Sequence, residues 1–348
     1  KVYFTRYLDC LIKTNNSKSA EKLLLKRVKS EKENLDLKLT LAQFYITDNK
    51  GEKATKIFQE LSTNSQNNLL NVQKTYKAFI SINQLSWAKK TLDEARKRNK
   101  TGSNLNIDFA IVYDLLGDEE NMIKEMLDLI EDDSFYKNKV IQFFSERINF
   151  NNKESSLYKK LKTALLRQNQ KNSDKIIYTE LLIWLFLQSE NYNAALIQSI
   201  ALDKRFKLNG EQVMHIGELS LNNQNYKAAK KAFSYVLTLG KQNELYNWAE
   251  ILSLKCLFLE ITDTKKYTEQ EINHCINEYQ KIIQKQGMNR KNLFLIIQLS
   301  DIYAFYANQA TKAIEILNKA LKISYLTDIQ KASIKMKSAD INVVKGDI

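Results

Sequence analysis

Asn191-Tyr192-Asn193-Ala194-Ala195 is answered thirty-four residues later by Asn225-Tyr226-Lys227-Ala228-Ala229. The same interval governs the start of the chain, where Ala20, Ala54 and Ala88 follow one another at thirty-four residues and Met122 takes the fourth place. A period of this length is that of two antiparallel helices with their turns, stacked unit upon unit. A small residue suits the point where the second helix of a pair crosses close to the first, because a larger side chain would wedge them apart. The apolar positions then fall into register. First helices carry Tyr7, Leu41 and Phe109, then Leu11, Tyr45, Phe79 and Tyr113; second helices carry Leu24, Phe58, Leu92 and Met126, four residues after the small position. Spacings of three and four place these residues on one helical face. The expected fold is all-α, a right-handed superhelix of antiparallel helix pairs forming one continuous solenoid.

Residues 1–133 predict four regular pairs. Their turns fall at Thr14-Asn15-Asn16, Asn49-Lys50-Gly51, Asn83-Gln84 and Leu116-Gly117-Asp118, where asparagine and glycine accept the left-handed conformation that ends a helix. From Met122 to Ala195 is seventy-three residues, five more than two periods. An irregular helical repeat over 134–175 absorbs the excess, with helices expected at 135–148 and 154–168. The rest, 176–348, holds two regular pairs at 178–206 and 211–239. A long pair follows, with helices at 245–261 and 268–286, a loop of Thr262-Asp263-Thr264-Lys265-Lys266 and a capping box of Thr268 with Glu271. The next pair, 291–324, buries Leu299, Tyr303, Ala313, Leu317 and Ala320 and has one extra residue, expected in its turn. A last helix spans 328–344; its Ile334, Ala339 and Ile341 are not the polar outer face of a terminal repeat. The chain opens inside a helical pattern at Lys1-Val2-Tyr3-Phe4 and stops at Gly346-Asp347-Ile348 where a turn is due, so it is expected to be the middle of a longer protein.

Proline is absent from the 348 residues and glycine occurs eight times, mostly at turns such as Gly51, Gly117, Gly210 and Gly346, which suits an almost wholly helical chain. No run approaches the eighteen or so apolar residues of a membrane span. Cys10, Cys256 and Cys275 fit no metal or redox spacing. They read as buried thiols, with a Cys256–Cys275 disulfide left open on the two helices of one hairpin.

The net charge of +13 invites nucleic acid as a ligand. The distribution argues against a continuous phosphate track. Residues 1–100 carry 21 basic and 10 acidic side chains, but 104–133 has ten carboxylates against Lys124 alone, and 134–175 swings back to ten basic and three acidic. Such neighbouring opposite charges either attract each other across the junction or offer a partner a patterned surface. Nucleic-acid binding through the basic surfaces of pairs one to three and five remains the alternative function.

In a stack of this kind the first helices line the concave side. One position there, five residues after the core leucine, reads Ile12, Ile46, Ile80, Asp114, Leu187 and Leu221, with Trp184 and Met214 on the same helices. An apolar stripe in a groove suits a peptide or an amphipathic partner helix; the competing reading is that these side chains fill contacts between repeats. Ile12, Ile46, Ile80, Trp184, Leu187, Met214 and Leu221 are the candidate groove, and Asp114, Asp118, Glu119 and Glu120 a candidate acidic patch. Catalysis finds no support. His215 and His274 have no ligand constellation, and Glu211 and Glu218 read as helix surface. No nucleophile elbow, phosphate loop or dinucleotide fingerprint occurs. Asp118-Glu119-Glu120 and Glu131-Asp132-Asp133 lack the alternating oxygens of a calcium loop. The expectation is a chain that is no enzyme and takes no cofactor or metal.

With these repeats set out, the chain resembles the tetratricopeptide repeat proteins over nearly its whole length. YTELLIWLF (178–186), LSDIYAFY (299–306) and KASIKMKSADI (331–341) further resemble long exported repeat proteins of the Bacteroidetes cell envelope. That resemblance implies a secreted, periplasmic or outer-membrane-associated scaffold for other proteins in a multi-subunit assembly such as secretion or outer-membrane biogenesis. Repeats that clamp a C-terminal carboxylate place lysine, arginine and asparagine along the groove. Here the matching residues are Thr5, Asp9, Leu39 and Gln43, which disfavours that activity.

Overall fold

A computed structural model describes residues 2–98, 105–264 and 267–346. Lys1, Lys265, Lys266, Asp347 and Ile348, which figured in the expectations above, lie outside the described residues. The fold is all-α, and the chain divides into two compact units, Lys1–Leu181 and Leu182–Ile348.

In the first unit α1 (Val2–Lys13) pairs with α2 (Ser17–Ser30), α3 (Leu35–Thr47) with α4 (Gly51–Ser65), α5 (Leu69–Ser81) with α6 (Leu85–Arg98) and α7 (Asn106–Leu115) with α8 (Glu119–Asp132). A 3-10 turn at Ser134–Tyr136 leads into α9 (Lys137–Ser145), followed by α10 (Ser156–Lys171). These are the helices of the irregular repeat, within a few residues of expectation. α11 (Ile176–Gln188) carries the division between the units. The second unit continues with α12 (Tyr192–Phe206), α13 (Glu211–Asn222), α14 (Tyr226–Thr238), α15 (Tyr246–Thr264), α16 (Glu269–Gln286), α17 (Leu293–Asp301), α18 (Ala310–Ala320) and α19 (Asp328–Lys345).

The turn chemistry repeats with the same period as the core. Asn15, Asn49, Asn83 and Gly117 stand thirty-four residues apart with φ of 54°, 57°, 58° and 73°, and Glu190 and Gln224 repeat the interval at 54° and 59°. Each lies five residues before the small crossing position. The left-handed residue folds the chain back so that the following amide reaches the exposed carbonyls of the helix just ended. Asn16 N donates to Leu11 O at 2.9 Å, Lys50 N to Tyr45 O at 2.7 Å and Gln84 N to Phe79 O at 2.8 Å. This is the Schellman closure of a helix. The next residue then starts the second helix. The side chains of Asn16, Asp118, Asn191 and Asn225 each accept from the backbone amide three residues on, satisfying a donor that would otherwise be orphaned.

Ala20, Ala54, Ala88 and Met122 are buried at these crossings, as are Ala195, Ala229 and Ala313. Leu24, Phe58, Leu92 and Met126 are buried one turn later, each full burial contributing about 2 kcal/mol of transfer free energy. Phe58 meets Phe79 edge-on at 5.4 Å and Trp87 at 5.8 Å, tying the second pair to the third.

Five expectations need correction. Tyr7 is 56% exposed, and Leu8 is buried in its place, because α1 packs mainly on α2 and so buries a single stripe. Cys10 is exposed; Cys256 and Cys275 are buried free thiols, pushed up to about 11 and about 12 by burial. The extra residue of the 291–324 pair is not in the turn. It is taken up inside the first helix as a π turn, Ile302–Tyr306, with Ala307 N donating to Ile302 O. Thr262-Asp263-Thr264 continues α15 instead of forming a loop, and the capping box of Thr268 with Glu271 then opens α16. On α19, Ile334 and Ile341 are buried, whereas Ala339 is exposed and the outward apolar row is Ile329, Met336 and Val343.

Candidate docking surfaces

The stripe positions sit in the last turn of the first helices, where their carbonyls accept from the left-handed residue: Ile12 from Asn15, Ile46 from Asn49, Ile80 from Asn83. In the first unit Ile12 and Ile46 are each 43% exposed. Ile80 is half-buried against the core of its unit. On the second unit Trp184 and Leu187 are half-buried.

Met214 and Leu221 do not belong to an open groove. They are 3% and 5% exposed. Glu218 lies between them on the same face of α13, and Trp248 of α15 donates its indole N–H to Glu218 Oε1 at 2.7 Å. α15 therefore lies against the face that an open groove would require. Leu39, at one of the positions where a carboxylate clamp would place a polar side chain, is likewise buried.

The acidic patch is largely spent on internal pairing. Asp114 accepts from Arg147 Nε at 2.7 Å. Glu119 accepts from Ser156 Oγ at 2.5 Å and pairs with Lys160 at 3.2 Å. Asp118 caps α8, and its two bonds to Asn121 hold its carboxyl below the usual range. Glu120 alone is largely exposed, 4.0 Å from Lys160. Lys175 reaches Glu131 at 3.0 Å. Of the two roles open to these charges, attraction between the fourth pair and the irregular repeat is the one the geometry realises. Arg96 adds a bidentate pair to the buried Glu125, both bonds 2.7 Å, tying α6 to α8.

His215 and His274 are exposed on separate helices. Among the described residues no cluster of three or more histidine, cysteine or acidic side chains could hold a metal ion, and no helix is long and apolar enough to cross a membrane. The residue-by-residue reading overlooked a trough between α2 and α4, bordered by Lys29, Lys32, Lys53 and Lys56. Its signal was present as lysine pairs three apart, Lys29 and Lys32 at and just beyond the end of α2 and Lys53 and Lys56 on α4.

No protein-family model matches the chain, and no curated protein sequence matches it. Solved tetratricopeptide repeat structures are similar to it at low identity. A repeat protein from Parabacteroides merdae is 13% identical with a TM-score of 0.31, covering 82% of this chain and 88% of its own. The C-terminal part of a repeat-containing protein from Cytophaga hutchinsonii is 14% identical with a TM-score of 0.31, covering 93% and 97%. Yeast Tom70 is 12% identical with a TM-score of 0.35, covering 99% and 89%.

Proposed function

We propose that this chain is a non-catalytic scaffold that holds protein partners within a bacterial cell-envelope assembly, such as one for secretion or outer-membrane biogenesis, in the periplasm or at the outer membrane. The observation that carries the scaffold reading is the pair Ile12 and Ile46. They are two unburied isoleucines at the same phase of successive helix pairs, each one residue after a buried core side chain, Leu11 on α1 and Tyr45 on α3. Repeated exposure of that kind suits a partner segment that spans more than one repeat. The envelope setting rests on the resemblance of the three segments quoted above.

Nucleic acid is the weaker reading because the irregular repeat's cations are partly taken. Arg147, Lys160 and Lys175 already hold carboxylates of the fourth pair, which leaves fewer charges for phosphate.

The test is capture of partners from fractionated native cells in mild detergent. The parent chain is run beside a variant carrying Ile12→Asp, Ile46→Asp, Trp184→Ala and Leu187→Asp, shown first to keep its helicity. A defined set of envelope proteins recovered by the parent and lost by the variant is the expected result. Recovery of the same set by both removes the stripe as the docking surface; recovery of nucleic acid with a steep salt dependence favours the alternative.

A further inference from the structure

Between α2 and α4, over the middle of α3, lies an open trough of about 490 Å³. Its floor is apolar: Leu25 and Val28 from α2, Leu41 and Tyr45 from α3, Ile57 from α4. Four of these five belong to or pack on the core of the unit, and Leu25 is exposed. Cations stand on both banks, Lys29 and Lys32 at and beyond the end of α2, Lys53 and Lys56 on α4. The acidic lining residues are Glu33 and Glu60, and Glu60 is held by Lys38 at 2.9 Å. Lys53 is occupied as well, 2.8 Å from Glu21 and 5.0 Å above the Tyr45 ring. Lys29, Lys32 and Lys56 are exposed and have no ion pair among the described residues. The trough thus offers an anchored apolar floor with uncommitted positive charge along two opposite edges.

We propose that this trough docks an acidic amphipathic segment of a partner protein, its apolar side chains on the floor and its carboxylates against the lysines of both banks. This deepens the scaffold reading and rests on it, but uses a different surface from the isoleucine stripe. The arrangement of charge selects the occupant. A fatty-acid-like amphiphile carries its charge at one end, whereas the lysines here flank the floor from two helices. From Lys53 to Asn64 the bank runs eleven residues, about 16 Å at helical rise, room for about three turns of a helix. A net charge of +13 favours encounter with an acidic partner.

The probe is a labelled amphipathic peptide of about 15 residues, with leucines at a three-four spacing and glutamates on both flanks. It is titrated against the full chain by fluorescence anisotropy. The control has lysine for every glutamate, and sodium dodecanoate serves as the single-headed competitor. Saturable binding of the glutamate peptide but not the lysine peptide is expected, weakening as salt is raised. The triple variant Lys29→Glu, Lys32→Glu, Lys56→Glu and the separate variant Leu25→Glu should each weaken it by about tenfold or more, or about 1.4 kcal/mol. All four residues are exposed, and retained helicity checks each variant's fold. Equal binding of both peptides, unchanged affinity in both variants, or binding of dodecanoate in place of the peptide overturns the proposal. Ile12→Asp with Ile46→Asp should leave this binding intact, so failure at the trough and failure of the stripe are read separately.

Discussion

Gly217 and Gln224 lie seven residues apart in one helix pair, and each is set against an ordinary preference. Gly217 is inside α13, where glycine forfeits about 1 kcal/mol of helix propensity relative to alanine. A Cβ there would meet Phe233 Cε1 at 2.7 Å and Ala232 Cβ at 2.8 Å on α14. Ala232 has no rotamer through which to yield, so the helices themselves would have to separate. Gly217→Ala should therefore destabilise by about 1–3 kcal/mol, lowering the urea midpoint at constant slope. Gln224 is the reverse case, a side-chain-bearing residue held at φ 59° at a cost of about 1 kcal/mol. Gln224→Gly should raise the midpoint by up to about 1 kcal/mol equivalent. A stabilised Gly217→Ala would mean that α13 and α14 are not in close contact at that point. The turn residues were legible in the sequence because Asn15, Asn49 and Asn83 act through their own backbone. Gly217 was not, because its constraint comes from a helix that the local sequence does not identify. Ala42 and Ala110, two periods apart and both fully buried, were the available sign that first helices also need small residues.

Between elements, charge fixes how successive pairs meet. Glu21 on α2 accepts from Lys50 at 2.7 Å and Lys53 at 2.8 Å, joining the first pair to the second. The Lys50 bond, then the Lys53 bond, pull its carboxyl from 4.5 to about 2. A carboxyl depressed in the folded state adds stability that is fully present above its unfolded value and is lost as pH falls through the folded one. The window therefore runs from 4.5 down to about 2. In urea unfolding, the gap between parent and Glu21→Gln should be constant from about pH 7 to about pH 5 and shrink to less than half by about pH 3. A gap that does not change with pH would mean that Glu21 acts through packing and not through its charge. The same logic explains why the acidic fourth pair was only half legible. Its composition showed alternating charge blocks, but whether Asp114 and Glu119 served a partner or Arg147 and Lys160 depended on distances across a junction. The apolar stripe failed at Met214 and Leu221 for a related reason: an identical phase is open on α3 and covered on α13, depending on the neighbouring helix.

Among the described residues, every substantial helix–helix contact joins elements adjacent or next but one in sequence. Stability in such an array is a sum of pair and nearest-neighbour contributions, so damage stays where it is made. Leu24 on α2 is fully buried, and Leu24→Ala should cost about 2–5 kcal/mol. Hydrogen exchange read by mass spectrometry should then rise in α1 to α4 and stay unchanged in α13 and α14. Uniform acceleration along the whole chain would show a single cooperative body and defeat the array description. The expected local response also bears on the scaffold reading. A partner seated on the first pairs stabilises those pairs by its own binding free energy, leaving distant repeats free to engage another partner at their own affinity. Protection gained on binding the acidic peptide should accordingly be confined to α2, α3 and α4 and their immediate neighbours, because the substantial contacts of these helices among the described residues reach no further in a single step.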